Sequence, residues 1–460
     1  MANLIKTKRG LDIEIGGKAQ ETIGSAMPSE IIAMIPDHYH GIVPKVMVKP
    51  GDRVKAGTAV FHDKTFENMN FVSPVSGEII AVNRGERRKV LSITIAREDK
   101  IEYEKFNVKP LDSLSANEVK TLLLQAGLWP YIKQRPYDII ANPNNAPKSI
   151  FISSFDSAPL APNNGFAMRG QFDDFQTGID ALAKLTEGKI HLGIKAGSKS
   201  ADFRMVRGVE ITEFEGAHPA GNVGVQINHI DPVNKGETVW TIGAQDVLFL
   251  GRFFSKGIVN LSRLVALTGP EVVENQYYRT FPGANILPVV KGNVQTGIPL
   301  RYISGNVLSG LQIEANGAID PYATQITVLN EGSETHEFVG WAMPRFDRFS
   351  MTNLYFGKLL KNPLVETIFG KTKFKWDARL MGGRRGIIMS NEYDSVLPMD
   401  ILPEFLIKAM LAQNIDKMEN LGAYEVAPED FALCEFVDTS KLPLQAIVRD
   451  ALDYMRRELE

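Results

Sequence analysis

Cysteine is nearly missing from this chain: Cys434 is alone in 460 residues. That excludes an internal disulfide and any all-cysteine metal or cluster site built from this chain alone, and it fits a cytoplasmic protein. Long apolar runs are missing too. Crossing a bilayer takes about 18 uninterrupted apolar residues; IIAMIP (31–36) and AQDVLFLGRFF (244–254) are too short, so a membrane role has to come through a partner. The opening MANLIKTKRGLDIEI lacks the apolar centre of a secretory leader. Neither charge dominates. The net charge of −3 gives no sign of a nucleic-acid partner. Nucleotide loops are absent as well: there is no G-x-x-x-x-G-K-[ST], and no G-x-G-x-x-G opens a helix. Gly193 and Gly197 in LGIKAGSKSAD come nearest, with the wrong spacing and context. No Ser-His-Asp elbow is found.

What is present is ordinary soluble composition, 44% hydrophobic and 23% charged, in a chain long enough for several domains. From about Ile31 to Ile95, short β-branched runs alternate with Gly/Pro turns. IVPKVMVKPGDRVKAGTAV and FVSPVSGEIIAVNRGERRKVLSI each read strand, turn, strand, the pattern of a hammerhead-type barrel-sandwich. Such domains carry lipoyl or biotin on a hairpin lysine. Lys64 in HDKTFENMNF is the one candidate, but the connection is longer and bulkier than a tight hairpin; a solvated surface lysine is the alternative reading.

Further on, NEVKTLLLQAGLW (117–129) has helical spacing, with Asn117 as a plausible N-cap and Gly127 as a stop. SIFISS (149–154) and KIHLGIK read as strands around an amphipathic helix, FDDFQTGIDALAKLTEG (172–188). This alternation predicts an α/β domain with a largely parallel sheet. A β-rich, Gly-rich stretch follows from about 258 to 345. From Pro398 the pattern turns helical, with Leu402, Phe405, Leu406, Ala409 and Met410 spaced to bury one face.

His38 and His40 form an H-x-H pair, which on a strand would point both rings to one face; a metal is conceivable with His62, and a polar strand end is the other reading. RGERRK (84–89) reads as a solvated basic turn. Arg384 and Arg385 in GGRRG (382–386) suit an acid group, a partner surface or solvent. His218 in HPAGNVG could donate to an anion, although the turn formers around it favour a structural loop.

Taken together, IKTKRGLDIEIGGKAQ, KVMVKPGDRVKAGTAVF, PVSGEIIAVNRGERR, ISSFDSAPLAPN, HPAGNVGVQINHIDPV, SGNVLSG and MGGRRGIIMSNEYDSVLPMDILPEFLIKAM resemble the A-subunit family of the bacterial sodium-translocating NADH:quinone reductases, essentially end to end. That family is related to the electron-input subunits of the RNF complex and respiratory complex I, which hold FMN on a stretch like GLGGAGFPTxxK and a [4Fe–4S] cluster on C-x-x-C-x-x-C-x-x-x-C-P. Here the first stretch reads GLWPYIKQRPYD. Only Gly127 and Lys133 match, and Trp129, Pro130 and Tyr131 stand where the backbone would have to approach a phosphate. The four cluster positions align with Pro428, Phe431, Cys434 and Asp438, leaving one thiolate of the four needed.

The resemblance implies a multidomain α/β and α+β chain: a barrel-sandwich hybrid (1–100), a Rossmann-like α/β domain (101–257), a β-grasp, SLBB-like domain (258–345), and a mainly helical, ferredoxin-like C-terminal domain without a cluster (346–460). It implies a peripheral position on the cytoplasmic side of the inner membrane. The partners would be the other subunits of the six-subunit complex (B to F), above all the membrane-embedded B subunit, with FMN, FAD, riboflavin and Fe–S centres in those partners. This chain would hold no flavin, cluster or metal of its own and would take part in binding ubiquinone, coupled to outward sodium transport, without being catalytic in isolation. A quinone head group needs one or two donors and an apolar wall. Met34, His38, Tyr39 and His40 offer these at the N-terminal end, and Trp129, Tyr131, Phe155 and Phe166 offer them in the α/β domain. No catalytic residue stands out. The rival readings are a carrier acylated on Lys64 and a structural assembly component with no ligand.

Overall fold

The computed structural model describes residues 3–25, 29–198, 202–334, 349, 374 and 376–460. The chain opens with β1 (Asn3–Lys6), which joins a sheet formed much later in the sequence, pairing in parallel with residues 212–215. Residues 3–6 therefore lie outside the sandwich, although the sequence reading began that domain at residue 1.

The sandwich follows as β2 (Ile31–Met34), β3 (Pro44–Val46), β4 (Arg53–Val54), β5 (Ala59–Asp63), β6 (Asn70–Val72), β7 (Gly77–Arg84) and β8 (Val90–Arg97). They make a four-stranded sheet, β2-β8-β7-β4, and a three-stranded one, β3-β5-β6. Alternation sends Ile32, Val54, Ile79, Ile93 and Ile95 of the first sheet into the core with Phe61 and Phe71 of the second. Phe61 and Phe71 stack at 4.5 Å. Lys64 is the exposed first residue after β5, its backbone N–H donating to Val43 O (2.9 Å).

The second unit begins with α1 (Ala116–Gln125). Its N-cap is Ser115, not Asn117: the Glu118 N–H donates to Ser115 Oγ (3.3 Å) and Glu118 Oε2 accepts from the Ser115 N–H (2.9 Å), a reciprocal capping box. Then come β9 (Ile132–Arg135), β10 (Ile139–Ile140), β11 (Ser149–Ser153), α2 (Asn164–Ala167), α3 (Phe172–Ala183), β12 (Lys189–Lys195), β13 (Glu210–Glu215), α4 (Val223–Ile230), β14 (Val239–Ile242) and α5 (Ala244–Lys256). The seven-stranded order is β1-β13-β12-β11-β14-β9-β10, parallel from β1 to β14 and antiparallel beyond. Helix α3 stops at Ala183, before the Gly188 that the sequence offered as its end. In β11, Ile150 and Ile152 enter the core shared with α3 and α5, while Phe151 enters a second core with Val225 and Ile227 of α4.

The third unit has β15 (Arg263–Thr268), β16 (Tyr277–Thr280), β17 (Leu300–Ser304), β18 (Leu311–Ile313) and β19 (Gln325–Asn330), ordered β16-β15-β19-β17-β18. The junction expected near 345 falls on residues 335–348 and 350–373, outside the described residues. The last unit is helical. Its final helix, Leu444–Leu459, buries Leu444, Val448, Ala451, Leu452 and Met455, one stripe at helical spacing. In Pro403–Leu411, Leu406, Ala409 and Met410 are buried as expected, whereas Leu402 and Phe405 are exposed (54% and 53%). The buried face of this helix is rotated away from them, through Glu404 and Ile407.

Candidate functional site

The stretch GLWPYIK packs as core. Trp129 is fully buried; its indole N–H donates to Ala141 O (2.7 Å) and its ring meets Trp240 edge-on at 5.3 Å. Pro130 O accepts from the Tyr322 hydroxyl of the third unit (2.8 Å). The Lys133 ammonium sits 4.2 Å over the Tyr322 ring. Trp129 is thus a packing residue with its polar atom satisfied, not a ligand wall.

Four of the other candidates converge. Met34 at the end of β2, His38 and Tyr39 just after it, and Tyr131 from the second unit line one cavity together with Pro282, Ile319 and Pro321. Tyr39 packs edge-on to Phe71 (4.7 Å) and Tyr322 (6.0 Å). Burial raises the Tyr39 and Tyr131 hydroxyls well above the usual phenol range; for Tyr39 the neighbouring Tyr131 and Asp320 add to it. Behind them, Arg263 pairs with Asp246 at 2.8 Å, and burial pushes the Asp246 carboxyl up to about 6 against the pull of that arginine. The cavity holds only about 20 Å³, room for one water.

The two histidines part company. Pro36–His38 is a 3-10 turn, not a strand, because Pro36 fixes its first φ angle. His38 Nδ1 faces Asp320 at 3.4 Å, and His40 Nε2 reaches Asp453 of the last helix at 2.8 Å. Among the described residues no group of three or more His, Cys, Asp or Glu is placed to hold a metal ion.

A larger cavity, about 340 Å³, opens at the carboxyl ends of the parallel strands β11 and β12. Phe155, Ile194 and Phe203 form its apolar wall; Asn163, Asn164, Lys18 and Lys195 bring polar groups. The asparagine side-chain N–H groups are engaged, Asn163 with Glu21 (2.7 Å) and Asn164 with Ser154 O (3.1 Å). The ammonium groups of Lys18 and Lys195 are exposed and have no ion-pair partner among the described residues. Asp156 lies deeper; burial raises its carboxyl, opposed by the N–H groups of Ala158 (2.7 Å) and Ser157. Phe166 is one residue beyond the rim, its ring against Tyr277 at 4.8 Å. Of the eight quinone candidates, Phe155 is the one that lines this larger cavity.

One pairing was invisible in the sequence. His218 Nδ1 meets Ser157 Oγ at 3.0 Å, and Ser157 Oγ also accepts from the Gly221 N–H (2.8 Å). Burial lowers the imidazole to about 4, partly offset by Asp12, so a neutral ring shares this hydrogen bond with the serine hydroxyl. This joins ISSFDSAPLAPN to HPAGNVG; both stretches stood out, but no spacing rule links residues so far apart.

The positions aligned with cluster ligands are filled. Phe431 and Cys434 are fully buried, and burial pushes the thiol far up. Asp438 caps a turn, accepting from the N–H groups of Ser440 (3.0 Å) and Leu442 (2.7 Å). Pro428 opens the 3-10 turn before them.

The sequence matches three domain families: "NqrA N-terminal barrel-sandwich hybrid domain" over residues 5–98, "NqrA second alpha/beta domain" over 114–259 and "NQRA C-terminal domain" over 264–315. Curated relatives, each named as the A subunit of a "Na(+)-translocating NADH-quinone reductase", include one from Photorhabdus laumondii, 34% identical over 99% of this chain and 100% of its own. Another, from Neisseria meningitidis, is 36% identical over the same shares. A solved NAD+-reducing [NiFe]-hydrogenase is a distant likeness, 11% identical with a TM-score of 0.37 over 75% of this chain and 62% of that one. The identity with the curated relatives runs through all four units, and on that ground the chain belongs to the A-subunit family of the Na(+)-translocating NADH-quinone reductases.

Proposed function

We propose that this chain helps to bind ubiquinone in the reductase, taking the head group into the cavity at the carboxyl ends of β11 and β12. The supporting observation is one of size and chemistry. About 150 Å³ admits a single benzene ring; the larger cavity offers about 340 Å³, a wall of Phe155 and Phe203, and in Lys18 and Lys195 two donors to quinone carbonyls with no ion-pair partner among the described residues. It lies where ligands settle on parallel sheets. The junction of Met34, His38, Tyr39 and Tyr131 encloses about 20 Å³ and would have to open first. In this reading the chain holds no flavin or iron–sulfur centre: side chains fill GLWPYIK and one thiol remains of the cluster set. FMN, FAD, riboflavin and Fe–S centres belong to the other subunits, B to F, and this chain sits peripherally on the cytoplasmic face against the membrane-embedded B subunit. Quinone chemistry and outward sodium movement are properties of the whole complex.

The test is titration of the full chain, alone and within the complex, with a short-chain ubiquinone. Phe155→Ala should weaken binding about tenfold, roughly 1.4 kcal/mol, while Tyr39→Phe leaves it unchanged. Loss on Tyr39→Phe with Phe155→Ala silent would move the site to the junction. No saturable binding in either setting would favour the structural component with no ligand. Intact mass of the native chain tests the carrier reading: an added lipoyl or biotinyl mass on Lys64 would establish it.

A further inference from the structure

The GGRRG motif has no part in either cavity. It lies in residues 380–389, which form neither helix nor strand. Leu380, Ile388 and Met389 are exposed there (58%, 57% and 44%), flanking exposed Arg384 and Arg385. No carboxylate occurs between Asp377 and Glu392, and neither guanidinium has an ion-pair partner among the described residues. Lys441 runs beside Gly382, 3.3 Å from where a β-carbon would stand, but it is part-buried and faces Asp438 and Glu392, so the free charge of the loop is that of the two arginines. The loop is pinned at one point: the Arg385 N–H donates to Ser440 O (2.8 Å) and Ser440 Oγ donates to Gly386 O (3.0 Å). Ser440 is itself held by Asp438. Ile387 packs against the helical core beside that pin, while a β-carbon added at Gly383 or Gly386 would meet nothing within 4 Å, so the backbone there faces outward.

We infer that residues 380–389 form a membrane-contact loop that docks on an anionic lipid surface. Apolar tips on both sides of a cationic pair suit a fluid interface: headgroup phosphates take the guanidiniums and the acyl boundary takes Leu380, Ile388 and Met389. The contact gives the chain its own hold on a bilayer, since no helix among the described residues is long and apolar enough to cross one. The inference is independent of where quinone binds.

The test is co-sedimentation of the full chain with vesicles of phosphatidylcholine, with and without phosphatidylglycerol, at low and high salt. The wild type should bind the anionic vesicles selectively and release at high salt. The double variant Arg384→Ser/Arg385→Ser should lose about thirtyfold in binding, near 1 kcal/mol per arginine. Ile388→Ser/Met389→Ser should weaken binding to the anionic vesicles at low salt, and both variants should melt with the wild type. Absence of wild-type binding, or both double variants binding like wild type, would overturn the proposal. So would variants that weaken assembly with the other subunits while the wild type ignores vesicles, which would make the loop a protein interface.

Discussion

At the scale of single residues, His218 ties stability to pH. It is 3% exposed, and burial takes its imidazole from the usual 6.5 to about 4. The folded pKa lies below the unfolded one, so the unfolded chain binds the extra proton between those values. The stabilisation is complete above about pH 6.5 and is lost as pH falls toward 4, about 3 kcal/mol in all. Asp246 and Asp430, both raised to about 6, act in the opposite sense, so the wild-type profile alone does not isolate the histidine. His218→Asn keeps a hydrogen-bonding side chain beside the Ser157 hydroxyl and removes the titration. Urea midpoints from pH 7.5 to 4.5 should show the wild type ahead at neutral pH and the gap narrowing on acidification; a constant gap would mean that the ring does not titrate as argued.

At the scale of elements, helices α3 and α5 are fixed by two glycines. A β-carbon on Gly178 would fall 2.4 Å from Val247 O, and one on Gly251 would fall 1.6 Å from Asp174 O. Both obstacles are backbone, so rotamer changes give no relief. Gly251→Ala gains about 1 kcal/mol of helix propensity yet forces the two helices apart, and the clash wins: a net loss of about 2 kcal/mol or more is expected in equilibrium unfolding. Measured stabilisation would show that the helices can separate freely. The same pair shows what could be read beforehand. Helix α3 was legible because one face is wet, which gives FDDFQTGIDALA a helical period; β12 was legible because Ile190, Leu192 and Ile194 alternate in KIHLGIK, bounded by Gly188 and a turn. The sequence reading missed helix α5, although Gln245, Arg252 and Lys256 recur on one side at helical spacing; the structure buries every residue from Ala244 to Phe254, the polar ones among them included. The sequence also placed His38 and His40 on a strand, missing that Pro36 starts a 3-10 turn, and it put Leu402 and Phe405 inside when the buried stripe passes beside them. Of the candidate site, the sequence offered Met34, His38 and Tyr39 in one set and Tyr131 in another; that they line one small cavity depends on Pro282, Ile319 and Pro321 from a distant unit, which no local pattern reports.

At the scale of the whole molecule, GLWPYIK is where three units meet. Trp129 anchors it in the second unit, Pro130 O receives the Tyr322 hydroxyl from the third, and Gly127 faces the sandwich. Gly127 has φ +65°, and a β-carbon there would lie 2.7 Å from Val72 Cγ1 and 2.8 Å from Val72 Cγ2. Beside it, Asn70 Nδ2 donates to Gln125 O (3.1 Å), so the β5–β6 hairpin is seated on the end of α1. The glycine that aligns with a flavin-binding loop therefore serves a domain seam. Two costs fall on Gly127→Ala: about 1 kcal/mol for an alanine in the left-handed region, and overpacking against Val72 of about 1–3 kcal/mol. A double-mutant cycle separates them. Val72→Ala clears the space, so Gly127→Ala should cost at least about 1 kcal/mol less in that background. Amide exchange in β5 and β6 should rise in the single Gly127→Ala variant, because the hairpin loses its seat before the rest of the fold opens. An equal cost in both backgrounds, with exchange in the hairpin unchanged, would assign the whole effect to local backbone strain and leave the seam without a role for this glycine.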